Sequence, residues 1–232
     1  MTAKSLLKKL KIDEKAKSQI DDAIKNVEMK TSGEIAVAIA PESDSYSFYE
    51  LLFGVFVGAI TFTTLVMFSN QIIPALEQHF WEMPKWFFAA FAGMIGFFVI
   101  PLVFCLTNIP FLDRFIIPSS VKREAVETNA ESIFFRAGIN KTKEASGILI
   151  YVSYLEQSVR ILADFGIASK IEGSVWNQIA KELAKNLKSN TTDAICKAVE
   201  ECGKILEANF PAKDENPDEI SNELIIVGGR KW

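Results

Sequence analysis

The chain has 232 residues, of which 49% are hydrophobic, and a mean hydropathy of +0.18. Its 25 Lys and Arg are outnumbered by 29 Asp and Glu, for a formal charge of -4 and a pI near 5.3. That balance argues against nucleic acid as a partner, because phosphate binding needs a concentrated basic surface. The 3 cysteines build no disulfide framework. Cys196 and Cys202 fall on different faces of one predicted helix, roughly 9 Å apart along its axis. With Cys105 they read as small apolar side chains, suited to a reducing compartment.

Residues 1–11 read MTAKSLLKKLK, with Lys4, Lys8, Lys9 and Lys11 among Leu6, Leu7 and Leu10. Two readings stand: a short basic helix resting on anionic lipid, or a solvated, frayed start. No apolar core of a secretory signal is present in residues 1–30, so no signal peptide is expected. A helix is predicted from the N-cap Asp13, with Ala16, Ile20, Ala23, Ile24 and Val27 on one stripe and Thr31-Ser32-Gly33 as its stop. A strand follows over 34–40. Ile35, Val37 and Ile39 point to one side and Ala36, Ala38 and Ala40 to the other, the pattern of a central strand closely covered by helices. Pro41 ends it, and Glu42 to Tyr49 reads as a polar linker.

Two uncharged runs come next. LLFGVFVGAITFTTLVMFSNQIIPAL lies between Glu50 and Glu77, and WFFAAFAGMIGFFVIPLVFCLTNIPFL between Lys85 and Asp113. Each is about 26 residues and as a helix reaches roughly 39 Å, enough to cross a hydrocarbon core with some tilt. Neither has the polar face that a surface helix of a soluble domain would show. The two are read as a transmembrane helical hairpin over 49–113, which directs its own insertion. Trp81 and Trp86 are expected at the membrane interface, and the lone His79 in the connecting loop is not read as a ligand. Gly54 and Gly58 in the first span and Gly93 and Gly96 in the second offer small patches for helix packing, read most simply as packing of the two spans on each other. Lys30, Arg114, Lys122 and Arg123 flank the hairpin while its loop holds only Lys85, which places both termini in the cytoplasm.

Beyond the membrane, a helix begins at Pro118-Ser119-Ser120, runs through Val121, Ala125, Ile133 and Phe134, and stops at Gly138. Gly147 to Ser153 reads as a buried strand, and Val159 to Phe165 as a second one, near enough for an antiparallel hairpin. A helix carrying Ile171, Val175, Ile179, Leu183 and Leu187 follows. The last helix starts at Thr192, with Ile195, Ala198, Val199, Cys202, Ile205 and Leu206 inward. Residues 213–223 read as a loose acidic linker, and Leu224 to Val227 as either a short edge strand or a docking tail. The whole is α/β: a small mixed β-sheet covered by helices, with an inserted transmembrane helical hairpin. The first and second strands are expected to pair in parallel through a right-handed crossover. Its parts are 1–48 (helix and first strand), 49–113 (hairpin), 114–210 (second part of the domain) and 211–232 (acidic tail).

The stretch Thr31-Ser-Gly-Glu-Ile-Ala-Val-Ala-Ile39, then Ser146-Gly-Ile-Leu-Ile-Tyr-Val-Ser153, then Val159-Arg-Ile-Leu-Ala-Asp-Phe-Gly166 and two closing helices, resembles the TPM domain. The placement of the hairpin resembles a bacterial subgroup of membrane proteins with two spans inside that domain. The resemblance implies a TPM-like fold and a range of roles. Some members are acid phosphatases, some bind calcium, and others serve in repair or assembly of membrane complexes. Where relatives tend to have a Gly-Tyr-Gly turn after the third strand, this chain has Asp164-Phe165-Gly166.

No nucleotide-binding motif is present, and the Asp164-Phe165-Gly166 triplet lacks every other part of a kinase. The carboxylates that sit at strand and helix ends are Glu34, Asp164 and Glu172. Converging there, they could hold Ca²⁺ or Mg²⁺ through oxygen ligands and orient water for phosphate-ester cleavage, with Asp164 and Glu34 as catalytic candidates. The plainer reading leaves Glu34 and Glu172 solvated and pairs Asp164 with Arg160. The expected function is a membrane-anchored binding or assembly module without catalysis, whose partners are the lipid bilayer and another membrane protein or complex. The alternative is a divalent-metal-dependent hydrolase resembling an acid phosphatase. The expected location is a bacterial inner membrane.

Overall fold

The computed structural model of the chain describes residues 2–77, 85–107, 110–187, 189–212 and 219–228. The elements run α1 (Ala3–Leu10), α2 (Glu14–Glu28), β1 (Glu34–Ala40), α3 (Ser47–Met67), α4 (Ser69–Glu77), α5 (Lys85–Thr107) and α6 (Pro110–Ile116). Next come α7 (Ser119–Arg136), a 3-10 turn at Ile139–Lys141, β2 (Gly147–Ser153) and β3 (Ser158–Ala163). The chain closes with α8 (Phe165–Ala168), α9 (Gly173–Asn186), α10 (Thr191–Asn209) and β4 (Ile225–Ile226). They form two compact units, one of residues 1–44 with 119–232 and one of residues 45–118.

The first unit is built on a mixed sheet of 4 strands in the order β3-β2-β1-β4. β1 lies parallel to β2, from Glu34 opposite Gly147 to Ala40 opposite Ser153. β3 runs antiparallel to β2, and β4 adds a short parallel contact to β1 at Ala38–Ile225 and Ile39–Ile226. The tail is thus an edge strand. The alternation read from β1 sorts the two faces. Ile35, Val37 and Ile39 join Ile148, Ile150 and Val152 under α2, α9 and α10, against Ile20, Ile24, Leu183, Ile195 and Leu206. Ala36, Ala38 and Ala40 join Leu149 and Tyr151 under α7, against Val126, Ala130, Ile133 and Phe134. Small side chains on that face let α7 lie close, and the large ones opposite fill the wider space under three helices.

Helix starts follow local chemistry. Asp13 caps α2 by accepting from Ala16 N at 2.8 Å, as expected. α10 begins at Thr191, one residue ahead of expectation, because Asn190 rather than Thr192 is its cap. α7 buries Val126, Ala130, Ile133 and Phe134. The amino-terminal segment is neither frayed nor free. α1 forms, Leu6 is fully buried, and Leu7 and Leu10 pack on the core. β3 stops at Ala163 where a strand to Phe165 was expected, since Asp164 caps the short α8 and bends the backbone into it. Cys202 is buried beneath α10, Cys196 is half-buried, and neither is bridged. Burial pushes the Cys202 thiol far up, so it stays neutral.

In the second unit α3 packs along α5. A Cβ on Gly58 would lie 2.7 Å from the carbonyl oxygen of Gly96, and one on Gly54 would lie 3.0 Å from that of Ile100. The glycines are therefore where the two helices touch, the plain reading of the small patches, except that Gly93 has open space around it. Two 21-residue helices, Ser47–Met67 and Trp86–Leu106, are long and apolar enough to cross a membrane. Only 17% and 11% of their apolar windows are buried. The first apolar run is not one helix. It breaks at Phe68, where Ser69 and Asn70 compete for the backbone and the ring of Pro74 crowds the preceding turn. Trp86 stands exposed at the start of α5, whereas Trp81 and His79 lie outside the described residues.

Candidate functional site

Of the three carboxylates singled out in the sequence, Glu34 and Asp164 lie toward the amino ends of β1 and β2. Glu34 is opposite Gly147 in the parallel register, and Asp164 N donates to Gly147 O at 2.9 Å. Glu34 and Asp164 thus flank Gly147 in one row across the sheet. The row depends on glycine, because a Cβ there would sit 2.4 Å from the carbonyl oxygen of Ile139. Glu34 is buried, and its Oε2 accepts from Ile220 N at 3.3 Å, which ties residues leading into β4 to the sheet. Asp164 Oδ1 accepts from Phe165 N at 2.7 Å, and its Oδ2 is buried without a hydrogen-bond partner. Glu172 stands exposed at the N-cap of α9, apart from that row, and makes no side-chain cap bond.

The pair expected between Asp164 and Arg160 does not form. Arg160 reaches Glu127 on α7 instead, because β3 presents it to that helix while Asp164 has left the strand. Ca²⁺ takes six to eight oxygens and Mg²⁺ an octahedral set. Among the described residues no group of three His, Cys, Asp or Glu side chains is placed to hold a metal. Two carboxylates that each give an oxygen to a backbone N–H, with the third set apart, do not fit either ion. Around this end, Met29, Phe135 and Phe165 are 68%, 61% and 79% exposed, large apolar side chains outside the membrane helices.

The carboxyl ends of β1 and β2 hold a second arrangement that the sequence reading missed. Tyr151 lies in β2 and is fully buried. Its hydroxyl is 2.9 Å from Asn129 Nδ2 and 2.9 Å from Ser43 Oγ. Ser43 Oγ donates to Ser153 Oγ at 2.9 Å, and Ser153 donates to Glu156 Oε2. Ser43 N donates to Glu156 Oε1 at 2.8 Å. With the Ser43 proton directed at Ser153, the Tyr151 proton must point at Ser43. The result is one directed chain from Asn129 through Tyr151, Ser43 and Ser153 to the Glu156 carboxylate. Burial above all, and then the Glu156 charge, raise the Tyr151 phenol above its ordinary value of 10.0. A fully bonded relay of this kind, its phenol kept protonated, is a structural tie rather than a nucleophile. It fixes the end of β1 to β2 and α7 one residue before the chain passes into the second unit. The period-2 alternation of β2 does place Tyr151 and Ser153 on one face. Ser43, however, sat in an apparent linker, and its partners lie 108 and 110 residues away in sequence.

The family model of the TPM domain matches residues 114–205. Its span holds the stretches 146–153 and 159–166 that carry the resemblance and leaves out Thr31 to Ile39. No curated protein matches the chain significantly. Among solved structures, the NMR structure of BA42 protein from the psychrophilic bacterium Bizionia argentinensis is similar at 18% identity and a TM-score of 0.54. The likeness covers 93% of this chain and 94% of that one, and at such identity it shows the fold.

Proposed function

We propose that this chain, which carries a TPM domain in which residues 114–205 match the family model, is a membrane-anchored binding or assembly module for another membrane protein or complex. The observation that carries the reading is the exposure of Met29, Phe135 and Phe165 beside the amino ends of β1 and β2. Large apolar side chains held in water on an ordered domain are suited to a protein partner. The engagement of Glu34 and Asp164 with backbone N–H groups supports structural roles for both. The two apolar helices supply the anchor, and the surplus of Lys and Arg flanking them favours cytoplasmic termini in a bacterial inner membrane.

A second reading, phosphate-ester hydrolysis, is favoured by the buried and unpartnered Asp164 Oδ2. One experiment separates the two. A photo-crosslinking residue at Phe165 or Met29 in native membranes is expected to capture one membrane protein, and the same residue at exposed Lys181 is expected not to. The purified full chain in lipid discs is expected to show no turnover of phosphate esters, with or without Ca²⁺ or Mg²⁺. Turnover that disappears in Asp164→Asn would overturn the leading reading in favour of the second.

A further inference from the structure

We propose that the outward face of α1 binds anionic phospholipid headgroups, and does so through charge without inserting into the bilayer. The helix divides its side chains in two. Leu6 is fully buried, with Leu7 and Leu10 packed against the core. Lys4, Lys8, Lys9 and Lys11 are all exposed. A helix that inserts into a membrane surface needs its apolar stripe free, and this one is already committed to the domain. Only the ammonium groups remain for an outside partner.

The position of α1 selects that partner. α2 leads from α1 toward the amino end of β1, so α1 lies at the opposite, carboxyl end of the sheet. Lys9 Nζ is 5.6 Å from the ring centroid of Tyr154, and Tyr154 N donates to Ala40 O, the last residue of β1, at 2.9 Å. From this end the chain leaves through Pro41 to Tyr46 into α3, and to it the chain returns at Ser119. Ser47, seven residues along the chain from Ala40, already opens a helix apolar enough to cross a membrane.

Charge agrees. In a chain of net charge -4, residues 1–11 hold four lysines and no acid. Of the acids near this end, Glu42 is half-buried, Asp44 is exposed, and three others are engaged by groups of the domain. Asp13 caps α2, Glu14 pairs with Lys17 at 2.7 Å, and Glu156 receives Ser43 and Ser153. None of the four lysines forms an ion pair among the described residues. A compact ammonium on a flexible stem is suited to headgroup phosphates.

The test is lysine footprinting of the full chain in lipid discs. Discs of phosphatidylcholine are compared with discs that also contain phosphatidylglycerol, each briefly treated with an amine-acetylating reagent and read residue by residue by mass spectrometry. Lys181 and Lys204, exposed on α9 and α10, serve as references. Lys4, Lys8 and Lys11 are expected to react about fivefold more slowly in the anionic discs, with the difference gone at about 0.5 M salt. Equal rates in the two lipids overturn the proposal. So does protection that is the same in neutral discs and survives salt. Protection seen in native membranes and absent from purified anionic discs would assign the face to an acidic protein, which also overturns it.

Discussion

At the amino ends of β1 and β2, carboxylates hold backbone N–H groups: Glu34 holds Ile220 and Asp164 holds Phe165. At the carboxyl ends, side chains hold one another in sequence from Asn129 to Glu156. The first arrangement secures segments that come late in the chain, β4 and α8, and leaves apolar side chains outside. The second stiffens the place where the chain departs for its two long apolar helices. Polar residues of similar kind thus serve attachment of the protein's own tail at one end and alignment of a joint at the other. At the carboxyl ends the Glu156 carboxylate holds a backbone N–H as well, that of Ser43, but the rest of the chain of bonds runs between side chains.

The comparison can be broken most severely at Gly147. Gly147→Val puts a Cβ against the Ile139 carbonyl and is expected to cost about 3 kcal/mol or more, seen as loss of the cooperative melt of the sheet domain. At the other end, Tyr151→Phe removes the middle of the relay and leaves Asn129 and Ser43 short of a partner. A loss of about 2 kcal/mol in denaturant titration is expected. This substitution also has a pH signature. The folded state raises the Tyr151 pKa, so its contribution is complete below pH 10 and falls away as pH rises through the folded value. Wild type is expected to lose stability in that alkaline range, and Tyr151→Phe to lose less, in melts recorded from pH 8 to 11.

Glu34→Gln keeps an acceptor oxygen for Ile220 and removes the charge, so about 1 kcal/mol or less is expected. Its mark should be faster hydrogen exchange at Val227 N, which donates to Ile39 O at 2.9 Å, with the Tyr151 end unchanged. Asp164→Asn retains an oxygen for Phe165 N and is expected to shift stability by less than about 0.5 kcal/mol. An equal effect on hydrogen exchange at both ends from any one of these changes would show that the ends are not independent.

Much of this was legible beforehand. β1 and β2 were placed to the residue because alternating Ile and Ala, or an unbroken apolar heptapeptide bounded by Gly and Ser, can satisfy a pleated backbone and two covered faces. The mixed pairing followed from connection lengths: a helix between β1 and β2, and a short turn between β2 and β3. α8 was not legible, since four residues carry no helical period and only the Asp164 cap announces them. The relay escaped for a different reason. Its members are ordinary in isolation, and their meaning lies in closeness between Ser43 and residues beyond the membrane hairpin. The packing of α1 was not legible because its leucines find their partners only once the rest of the core is in place.

The register of Glu34 against Gly147 has a consequence for biosynthesis. On the ribosome, residues 1–44 emerge before the two apolar helices. Throughout that interval β1 has neither β2 nor β4 beside it, although it is apolar on both faces. The sheet therefore cannot close until the two apolar helices and the strands beyond them have been made. A seven-residue strand of Ile, Val and Ala waiting in this way is the part of the nascent protein most exposed to misassociation.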